Sequence, residues 1–489
     1  MTIARNTLYN LAGATVPIVL ALVTVPLYLR QIGEDRYGIL AIVWLLLGYF
    51  GSFDLGLSRA AANRIAQLRD APATSRQEVF WTACVLNTGL GILAGVAFYF
   101  LGARLFEFWL RMSAPLHAEA TLALPWIAAA VPVATVTAAL TGALEGLQRF
   151  STVNAIQAIG TALFQIAPLV TAILLGPQLQ YVIPAAVVSR VVTLAPLMLS
   201  VRSALPLDGP PKLNRRQMKT LFAYGSWVTV TNLVGPLLHV FDRFLIGILR
   251  GTTAVAHYVV PFQLVNRAQI IPGALSRALF PHFSAIDTTQ ASQVARESVI
   301  ALAAVTTPMT LAALLSMAPF LQIWVGGEFA THAAPVGEIL LLGIWINGLA
   351  FVPFALLQAQ GRPDIVAKFH LAELIPFFLL LWFALHHFGI VGAAAVWVLR
   401  VALDAGLLFN AARLPMRLAK PLIPNATLIA VTAVGLFIAP HASLLTKLYF
   451  GLPILTVSCI WSLLISARLR SFVMRFFRHL NVVQNFLRN

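Results

Sequence analysis

The fold is indicated by one apolar stretch, Leu221–Phe283, which reads LFAYGSWVTVTNLVGPLLHVFDRFLIGILRGTTAVAHYVVPFQLVNRAQIIPGALSRALFPHF. It divides into two spans, near 221–249 and 255–281, and each is long enough to cross about 30 Å of hydrocarbon as a helix. The second span closes on the tetrad LSRA at 275–278, and the same tetrad closes an earlier apolar span at 57–60. The stretch is therefore predicted to be a second copy of the opening of the chain.

Further matches at a similar spacing indicate that the whole first half is duplicated. The segment AAVVSRV at 185–191 resembles AVWVLRV at 395–401, and the pair LP recurs at 205–206 and 414–415, so the copies lie roughly 210 to 218 residues apart. Each copy holds six apolar spans, and an even number places the copies in parallel orientation. With two more spans at the end, the sequence predicts about 14 transmembrane helices.

Composition places the chain in a membrane. Hydrophobic residues make up 59% and charged residues 10% of the sequence, and the mean hydropathy is +0.85, so we predict an all-α, polytopic membrane protein. The predicted spans lie near 7–29, 37–60, 80–103, 120–144, 153–175, 181–201, 221–249, 255–281, 297–320, 335–359, 366–386, 391–412, 424–440 and 447–466.

The net charge of +16 is explained by topology. Lys and Arg are far more frequent in the two terminal segments and the even-numbered gaps than in the odd-numbered gaps, which predicts that both termini are cytoplasmic. No nucleic-acid partner is needed to explain the charge. Cys84 and Cys459 lie in separate spans and offer neither a disulfide nor a metal-ligand spacing.

These patterns predict five segments. The sequence is divided into an N-terminal six-helix bundle at 1–205, a cytoplasmic linker at 206–220, a second six-helix bundle at 221–415, two extra helices at 416–467 and a tail at 468–489. The linker is rich in proline. The tail alternates arginine with large apolar residues, which is typical of a helix lying on an anionic leaflet.

We select ten charged residues inside the predicted spans, where a charge costs about 3 kcal/mol to insert. They are Arg59, Arg190, Arg243, Arg267, Arg277, Arg400, Asp54, Asp242, Glu373 and Asp404. Six bases against four acids make the interior cationic. Two interpretations stay open, because such charges either neutralise one another as structural pairs or bind a cargo and a coupling ion.

For some of these charged residues, the separation along the sequence favours a structural ion pair. Arg400 and Asp404 are one helical turn apart, and Asp54 lies close to residues that can neutralise or cap it. Asp242 and Arg243 point about 100° apart on a helix, so at least one of them is expected to need a partner elsewhere.

Three other charged residues are predicted to lie deep in the membrane, which favours a role in binding a cargo. Arg190, Arg267 and Arg400 lie about ten residues into their spans, near the bilayer midplane, and Arg190 and Arg400 are equivalent in the two repeats. A guanidinium binds phosphate through two parallel hydrogen bonds and stays charged when partly desolvated. We therefore expect an anionic cargo, either a small anion or a phosphorylated head group. Asp242 or Glu373 is a candidate for exchanging H⁺ or Na⁺, and no other cofactor is predicted.

Several motifs resemble the polysaccharide-transporter family, the Wzx-type oligosaccharide-lipid flippases of the multidrug/oligosaccharidyl-lipid/polysaccharide exporter superfamily. They are NTLYN at 6–10, VPLYL at 25–29, YGIL at 37–40, FDLGL at 53–57 with Arg59, Asp242-Arg243, and GRP at 361–363 after Gln358. The similarity covers most of the first twelve spans and is most specific in the first sixty residues. Asp54, Asp242 and Arg243 are the charged positions that match the family pattern.

The resemblance implies a flippase in the cytoplasmic (inner) membrane that moves undecaprenyl-diphosphate-linked repeat units of O-antigen, capsule or exopolysaccharide to the outer leaflet. It also implies two six-helix bundles arranged as a V around a central cationic cavity that works by alternating access. The expected partners are the lipid-linked oligosaccharide, membrane lipids, and a polysaccharide polymerase with its chain-length proteins. We expect a monomer that is not an enzyme.

Three alternatives remain open at this point. A lipid II flippase of peptidoglycan synthesis has a similar cationic cavity. A multidrug cation antiporter shares the fold but calls for buried carboxylates. A membrane glycan polymerase or ligase, from the enzyme class, typically carries a large external loop, whereas no external connection here exceeds about twenty residues.

Overall fold

The structure is a computed structural model that describes residues 2–104, 106, 112–205, 214, 215, 217–219, 221, 241–414, 419–439, 444–466 and 469–471. Three predicted regions lie largely outside the described residues. They are the linker, the span predicted at 221–249, of which residues 222–240 are missing from the description, and the tail. All regular structure among the described residues is helical. The chain forms two compact units, Met1–Val259 and Val260–Asn489.

The first unit is built from long helices and one short one. Its helices are α1 (Thr2–Tyr49), a 3₁₀ segment (Phe50–Asp54), α2 (Leu57–Gln67), α3 (Ala73–Arg104), α4 (Ala114–Gly146), α5 (Phe150–Leu174) and α6 (Leu179–Ala204). Residues 241–250 are also helical. Helix α7 (Thr252–Asn266) begins in this unit.

The second unit begins within α7 and includes a 3₁₀ turn at Arg267–Gln269. It contains α8 (Ile270–Ala285), α9 (Thr288–Val325), α10 (Gly327–Ala359), α11 (Pro363–Ala411), α12 (Ala419–Ile438) and α13 (Leu444–Ile465). Within it, α9 packs against α10, α12 and α13, and α10 packs against α11. The two extra helices predicted at 416–467 therefore correspond to α12 and α13.

Within the described part of the chain, nine helices are long and apolar enough to cross a membrane. Their apolar side chains are widely exposed, as shown by Leu174 at 74%, Ile323 at 87% and Leu445 at 79% exposure. A water-soluble protein rarely shows apolar surface on this scale, whereas helices in lipid satisfy their backbone groups internally and present apolar side chains outward. The prediction of an all-α, polytopic membrane protein is confirmed.

The boundary of one predicted span is wrong, because the backbone turns at a place that hydropathy does not reveal. The span predicted at 37–60 ends as an α-helix at Tyr49 and continues as the 3₁₀ segment. The left-handed backbones of Leu55 (φ 52°) and Gly56 (φ 73°) then start α2 in a new direction. By contrast, the break in α11 at Gly389 (φ 60°) falls in the gap between the spans predicted at 366–386 and 391–412, so the structure agrees with that boundary.

A buried cluster holds α2 against α3, α4 and α6. It includes Leu57, Ile65, Phe80 and Leu144, each at most 1% exposed. Gly142 of α4 lies so close to α2 that an added Cβ would fall 2.4 Å from the backbone oxygen of Ser58. Only glycine permits this approach, so α2 is fixed closely on α4.

A bidentate ion pair ties α1 to α4. Arg36 donates to Glu119 from Nε to Oε2 at 2.8 Å and from Nη2 to Oε1 at 2.6 Å. The backbone N–H of Leu179, the first residue of α6, donates to Oε2 of the same carboxylate at 3.0 Å. One carboxylate thus connects three helices, and this pair was not predicted from the sequence.

We expect Glu119→Ala to destabilise the first unit by about 2 to 3 kcal/mol, because hydrogen bonds to a charged group contribute about 1.5 to 3 kcal/mol and the loss leaves Arg36 without its partner. The Arg36 side chain is 31% exposed, so water compensates in part. Thermal unfolding of the purified protein measures the effect. Asp364→Asn, which removes the exposed pair with Lys368, is the control and is expected to change nothing measurable; equal melting temperatures for both variants would contradict the assignment.

Candidate functional site

A polar cavity of about 360 Å³ lies within the first unit, between α1, α2, α4, α5 and α6. Its charged lining residues are Asp54, Arg59, Glu145 and Arg190. The volume lies near the lower end of the range of about 300 to 1,000 Å³ that is typical of small-molecule sites. The structure therefore brings Arg59, Arg190 and Asp54, three residues selected from the sequence, to one cavity.

Asp54 shapes the wall of this cavity. Its Oδ1 accepts the backbone N–H of Gly56 at 2.8 Å, and its Oδ2 accepts the backbone N–H of Ser58 at 3.1 Å. Asp54 is 6% exposed. The carboxylate therefore caps the start of α2 and satisfies donors that a helix N-terminus leaves free. Arg59, on the first turn of that helix, is exposed toward the cavity that it lines.

Arg190 is held by an aromatic ring. Its Cζ lies 4.3 Å from the centroid of the Phe164 ring, and that ring lies 6.0 Å from the ring of Trp44. No salt bridge to Arg190 occurs among the described residues, and its buried Nε has no hydrogen-bond partner there. The π face stabilises the cation electrostatically without occupying its N–H groups. The guanidinium thus keeps its donors available for a ligand.

A different arrangement surrounds Arg400 in the second unit. Helix α11 folds back at Gly389, which places Arg400 against Glu373, with Nη1 3.4 Å from Oε2. Asp404 lies 3.8 Å from His370, measured from Oδ1 to Nε2. Glu373, Arg400 and Asp404 are each 8% or 9% exposed. The residues predicted as one pair, Arg400 with Asp404, belong to a cluster of four groups, which we call the α11 cluster.

The adjacent residues Asp242 and Arg243 pair with each other. Nη1 of Arg243 lies 2.7 Å from Oδ1 of Asp242, and Tyr258 donates its hydroxyl to Oδ2 at 3.0 Å. Asp242 is fully buried and Arg243 is 4% exposed. The two side chains leave the helix in different directions, as expected, but the long arginine side chain folds back to reach Asp242. Asp242 also has the second partner that was expected, Tyr258.

Arg267 and Arg277, two of the predicted binding residues, lie outside the cavity, the α11 cluster and the Asp242–Arg243 pair. Arg267 is exposed and lies in the 3₁₀ turn between α7 and α8, so the expectation that it sits in the middle of a continuous helix is wrong. Arg277 is exposed on α8. Neither lines the cavity of the first unit.

Sequence reasoning missed several residues that line the cavity. Thr137, Thr141, Glu145 and Gln157 are polar and contribute to its wall. A single glutamine or threonine in an apolar helix carries no signal in the sequence, because membrane helices tolerate such residues when they bond to their own backbone. Glu145 lies one residue beyond the span predicted at 120–144, so it was not among the charges selected inside the spans.

The fold identifies the class of protein. The structure superposes on the "Lipid II flippase MurJ, inward closed conformation" with a TM-score of 0.72 at 11% sequence identity, covering 92% of this chain and 98% of that one. It superposes on an inward-facing multidrug resistance MATE family transporter with a TM-score of 0.67 at 14% identity, covering 83% and 98%. The chain has the fold of the MOP-superfamily membrane transporters.

The sequence identifies the family. The profile of the family described as "Polysaccharide biosynthesis protein" matches residues 3–287. A Shigella flexneri protein named "Putative O-antigen transporter" is 30% identical over 416 residues, which is 83% of this chain and 97% of that protein. The chain belongs to the polysaccharide biosynthesis protein family, which confirms the resemblance found in the sequence and favours a transporter over an enzyme.

Proposed function

We propose that the protein is a flippase that moves undecaprenyl-diphosphate-linked oligosaccharide repeat units across the cytoplasmic membrane for O-antigen or a related surface polysaccharide. Family membership and the 30% identical relative support this substrate class. The observation that carries it is the state of Arg190. Its guanidinium lines a cavity and is held by an aromatic ring, and among the described residues it has no carboxylate partner and its buried Nε has no acceptor.

The charges of the cavity suit a diphosphate. Arg59 and Arg190 supply two guanidiniums, whereas Asp54 already uses both oxygens on the backbone. A diphosphate requires several charge-assisted hydrogen bonds and favours guanidinium donors. A cavity of about 360 Å³ holds only a small part of the cargo. The remaining sugars and the lipid tail are expected to lie outside it, with the tail in the bilayer.

The α11 cluster is proposed as the coupling site. It holds two buried carboxylates, one guanidinium and one histidine, and with a neutral histidine it carries an excess negative charge. An uncompensated charge in a buried site is costly. Binding and releasing one proton removes and restores that charge, so the cluster is suited to couple cargo movement to H⁺ rather than to bind cargo through Arg400.

The proposal also covers the number of helices, their arrangement, the orientation in the membrane and the partners. We expect 14 membrane helices arranged as two parallel six-helix repeats in a V with two extra helices, both termini in the cytoplasm, and a monomer acting with a polymerase and chain-length proteins. The duplicated sequence segments support the two repeats, and the asymmetry of basic residues supports the placement of the termini. The lipid II alternative rests on the fold alone, since the MurJ likeness is at 11% identity.

Filling the cavity tests the proposed function. Gly48 lines the cavity and an added Cβ there meets no atom within 4 Å, so Gly48→Leu places a larger side chain in the cavity wall. We expect surface glycan to fall more than tenfold in a strain that depends on this protein, with a normal amount of protein in the membrane.

The matched control is Gly89→Leu on α3. Gly89 is exposed and an added Cβ there also meets nothing within 4 Å, but it does not line the cavity. Surface glycan is expected to stay normal in this variant. Normal glycan in Gly48→Leu would show that cargo does not pass through the cavity.

A further inference from the structure

A group of exposed rings lies at the break of α11, in the last two turns before Gly389. We call it the ring patch, and its members are Trp382, Phe383, His386, His387 and Phe388. The rings of Trp382 and His386 lie 4.9 Å apart, and those of Phe383 and His387 lie 4.2 Å apart. Trp382 and Phe383 are each 50% exposed and Phe388 is 67% exposed. The patch is therefore a broad ring surface that the described protein does not cover.

The ring patch combines apolar faces with polar groups. Indole and imidazole carry N–H donors on otherwise apolar rings, and such rings concentrate where the hydrocarbon of a bilayer meets the head groups. One to two turns earlier in α11, the exposed side chains are aliphatic, with Ile375 at 71% and Leu379 at 66% exposure. The helix surface thus changes from aliphatic to amphipathic toward the break, as a bilayer changes from hydrocarbon to head groups.

The distance from the α11 cluster agrees with a location among the head groups. Arg400, which contacts Glu373, is predicted to lie near the bilayer midplane. His386 follows Glu373 by 13 residues of continuous helix, which is about 20 Å along the helix axis. The head-group layer begins about 15 Å from the midplane and ends about 22 Å from it. The ring patch therefore lies at head-group depth.

The other exposed rings of the second unit lie at the same end of its helices. Short connections make consecutive helices run back and forth, so the end of α9, the break of α11 and the start of α13 share one end. Phe320 and Trp324 pair at the end of α9 with their rings 5.4 Å apart. Tyr449, at the start of α13, is 77% exposed. Among the described residues of this unit, the exposed tryptophan and tyrosine both belong to this end.

The opposite end of the same unit is basic. Its exposed basic residues include Arg362, Lys368, Arg413 and Lys420. At the ring end, Lys447 is only half-buried. Basic residues favour the cytoplasmic side of a membrane, so the rings belong to the external side.

We propose that the ring patch anchors the break of α11 in the head-group layer of the external leaflet. Its partner is a lipid surface, with the N–H groups donating to phosphate and ester oxygens and the ring faces packing on the upper acyl chains. Because α11 folds back at Gly389 to bring Arg400 to Glu373, an anchored break also fixes the depth of the α11 cluster. The anchor concerns the position of the protein in the bilayer and does not depend on the identity of the cargo.

Depth measurements with spin labels test the anchor. The full-length protein is placed in a phospholipid nanodisc after the exposed Cys459 is replaced by serine, which leaves only the buried Cys84. A nitroxide is attached to His386→Cys or, as the matched control, to Leu379→Cys, and its relaxation by oxygen and by a water-soluble nickel chelate gives its depth. We expect the label at 386 within about 5 Å of the lipid phosphates and the label at 379 about 10 Å deeper.

Three results would overturn the proposal. Equal depths for the two labels would show that α11 does not cross from hydrocarbon to head groups at this point. A label at 386 that nickel reaches as freely as in water would place the patch outside the bilayer. A label at 386 that neither reagent reaches would show that a protein surface covers the patch.

Substitutions at Trp382 test whether the rings hold this depth. Trp382→Tyr keeps a ring with a polar tip, whereas Trp382→Leu keeps only apolar bulk. With the label at 386, we expect Trp382→Leu to shift the label toward the hydrocarbon and Trp382→Tyr to leave it in place. No shift in either variant would show that Trp382 does not anchor the break.

Thiol labelling of spheroplasts tests the side of the membrane. A membrane-impermeant maleimide is expected to modify His386→Cys from outside and to modify Lys368→Cys, at the basic end, only after the membrane is permeabilised. The reverse pattern would place the ring patch in the cytoplasmic leaflet and overturn the external anchor.

Discussion

Replacing Arg190 by alanine is expected to abolish surface glycan in a strain that has no other transporter for the same cargo, while the protein still inserts at a normal level. A charge-assisted hydrogen bond contributes about 1.5 to 3 kcal/mol, which corresponds to a loss of roughly 10- to 100-fold in affinity for the diphosphate. Arg190 forms no salt bridge with the described residues, so its removal leaves no described carboxylate without a partner and the fold is expected to persist.

Two variants make this result interpretable. Arg202→Ala removes an exposed arginine from the end of the same helix and is expected to leave surface glycan unchanged. Arg190→Lys keeps the charge but loses the fork geometry of the guanidinium and the stacking on Phe164, so it is expected to restore only part of the transport. Wild-type glycan levels in Arg190→Ala would remove the docking role.

The second large effect is expected from Glu373→Gln in the α11 cluster. Glutamine keeps a hydrogen-bond acceptor for Arg400 but cannot take up or release a proton. In proteoliposomes, the wild-type protein is expected to translocate lipid-linked glycan faster when a proton gradient, acidic on the receiving side, is imposed. The variant is expected to lose this acceleration, and with it more than nine-tenths of the surface glycan in cells.

The control for this variant is Glu297→Gln, the same chemical change at an exposed position of α9. It is expected to translocate as the wild type does, with and without the gradient. Arg400→Ala gives a further comparison, since it leaves Glu373 without its cation and is also expected to abolish transport. A Glu373→Gln protein that still responds to the gradient would exclude the α11 cluster as the coupling site.

The sequence predicts the class of the fold because the hydropathy and the internal duplication are each read from many residues of a span together. It also selects Arg190, since a charge deep in an apolar span needs a partner or a function whatever its neighbours are. Asp54 was selected for the same reason, and the structure assigns its oxygens to the start of α2. The role of Arg190 itself stays a prediction.

Long-range contacts are what the sequence does not reveal. Glu373 meets Arg400 because α11 folds back at Gly389. The spans predicted at 366–386 and 391–412 place a turn there, but hydropathy does not show which side chains meet across it. Arg36 and Glu119 are far apart in sequence and sit in segments that read as ordinary loop-side charges.

Locating the phosphates of a bound polyprenyl-diphosphate sugar by cryo-electron microscopy, with the protein in a lipid nanodisc, tests the central claim most directly. The account predicts phosphate density within hydrogen-bonding distance of the guanidiniums of Arg59 and Arg190. Phosphate density at the α11 cluster, or on the protein surface with the cavity empty, would contradict it.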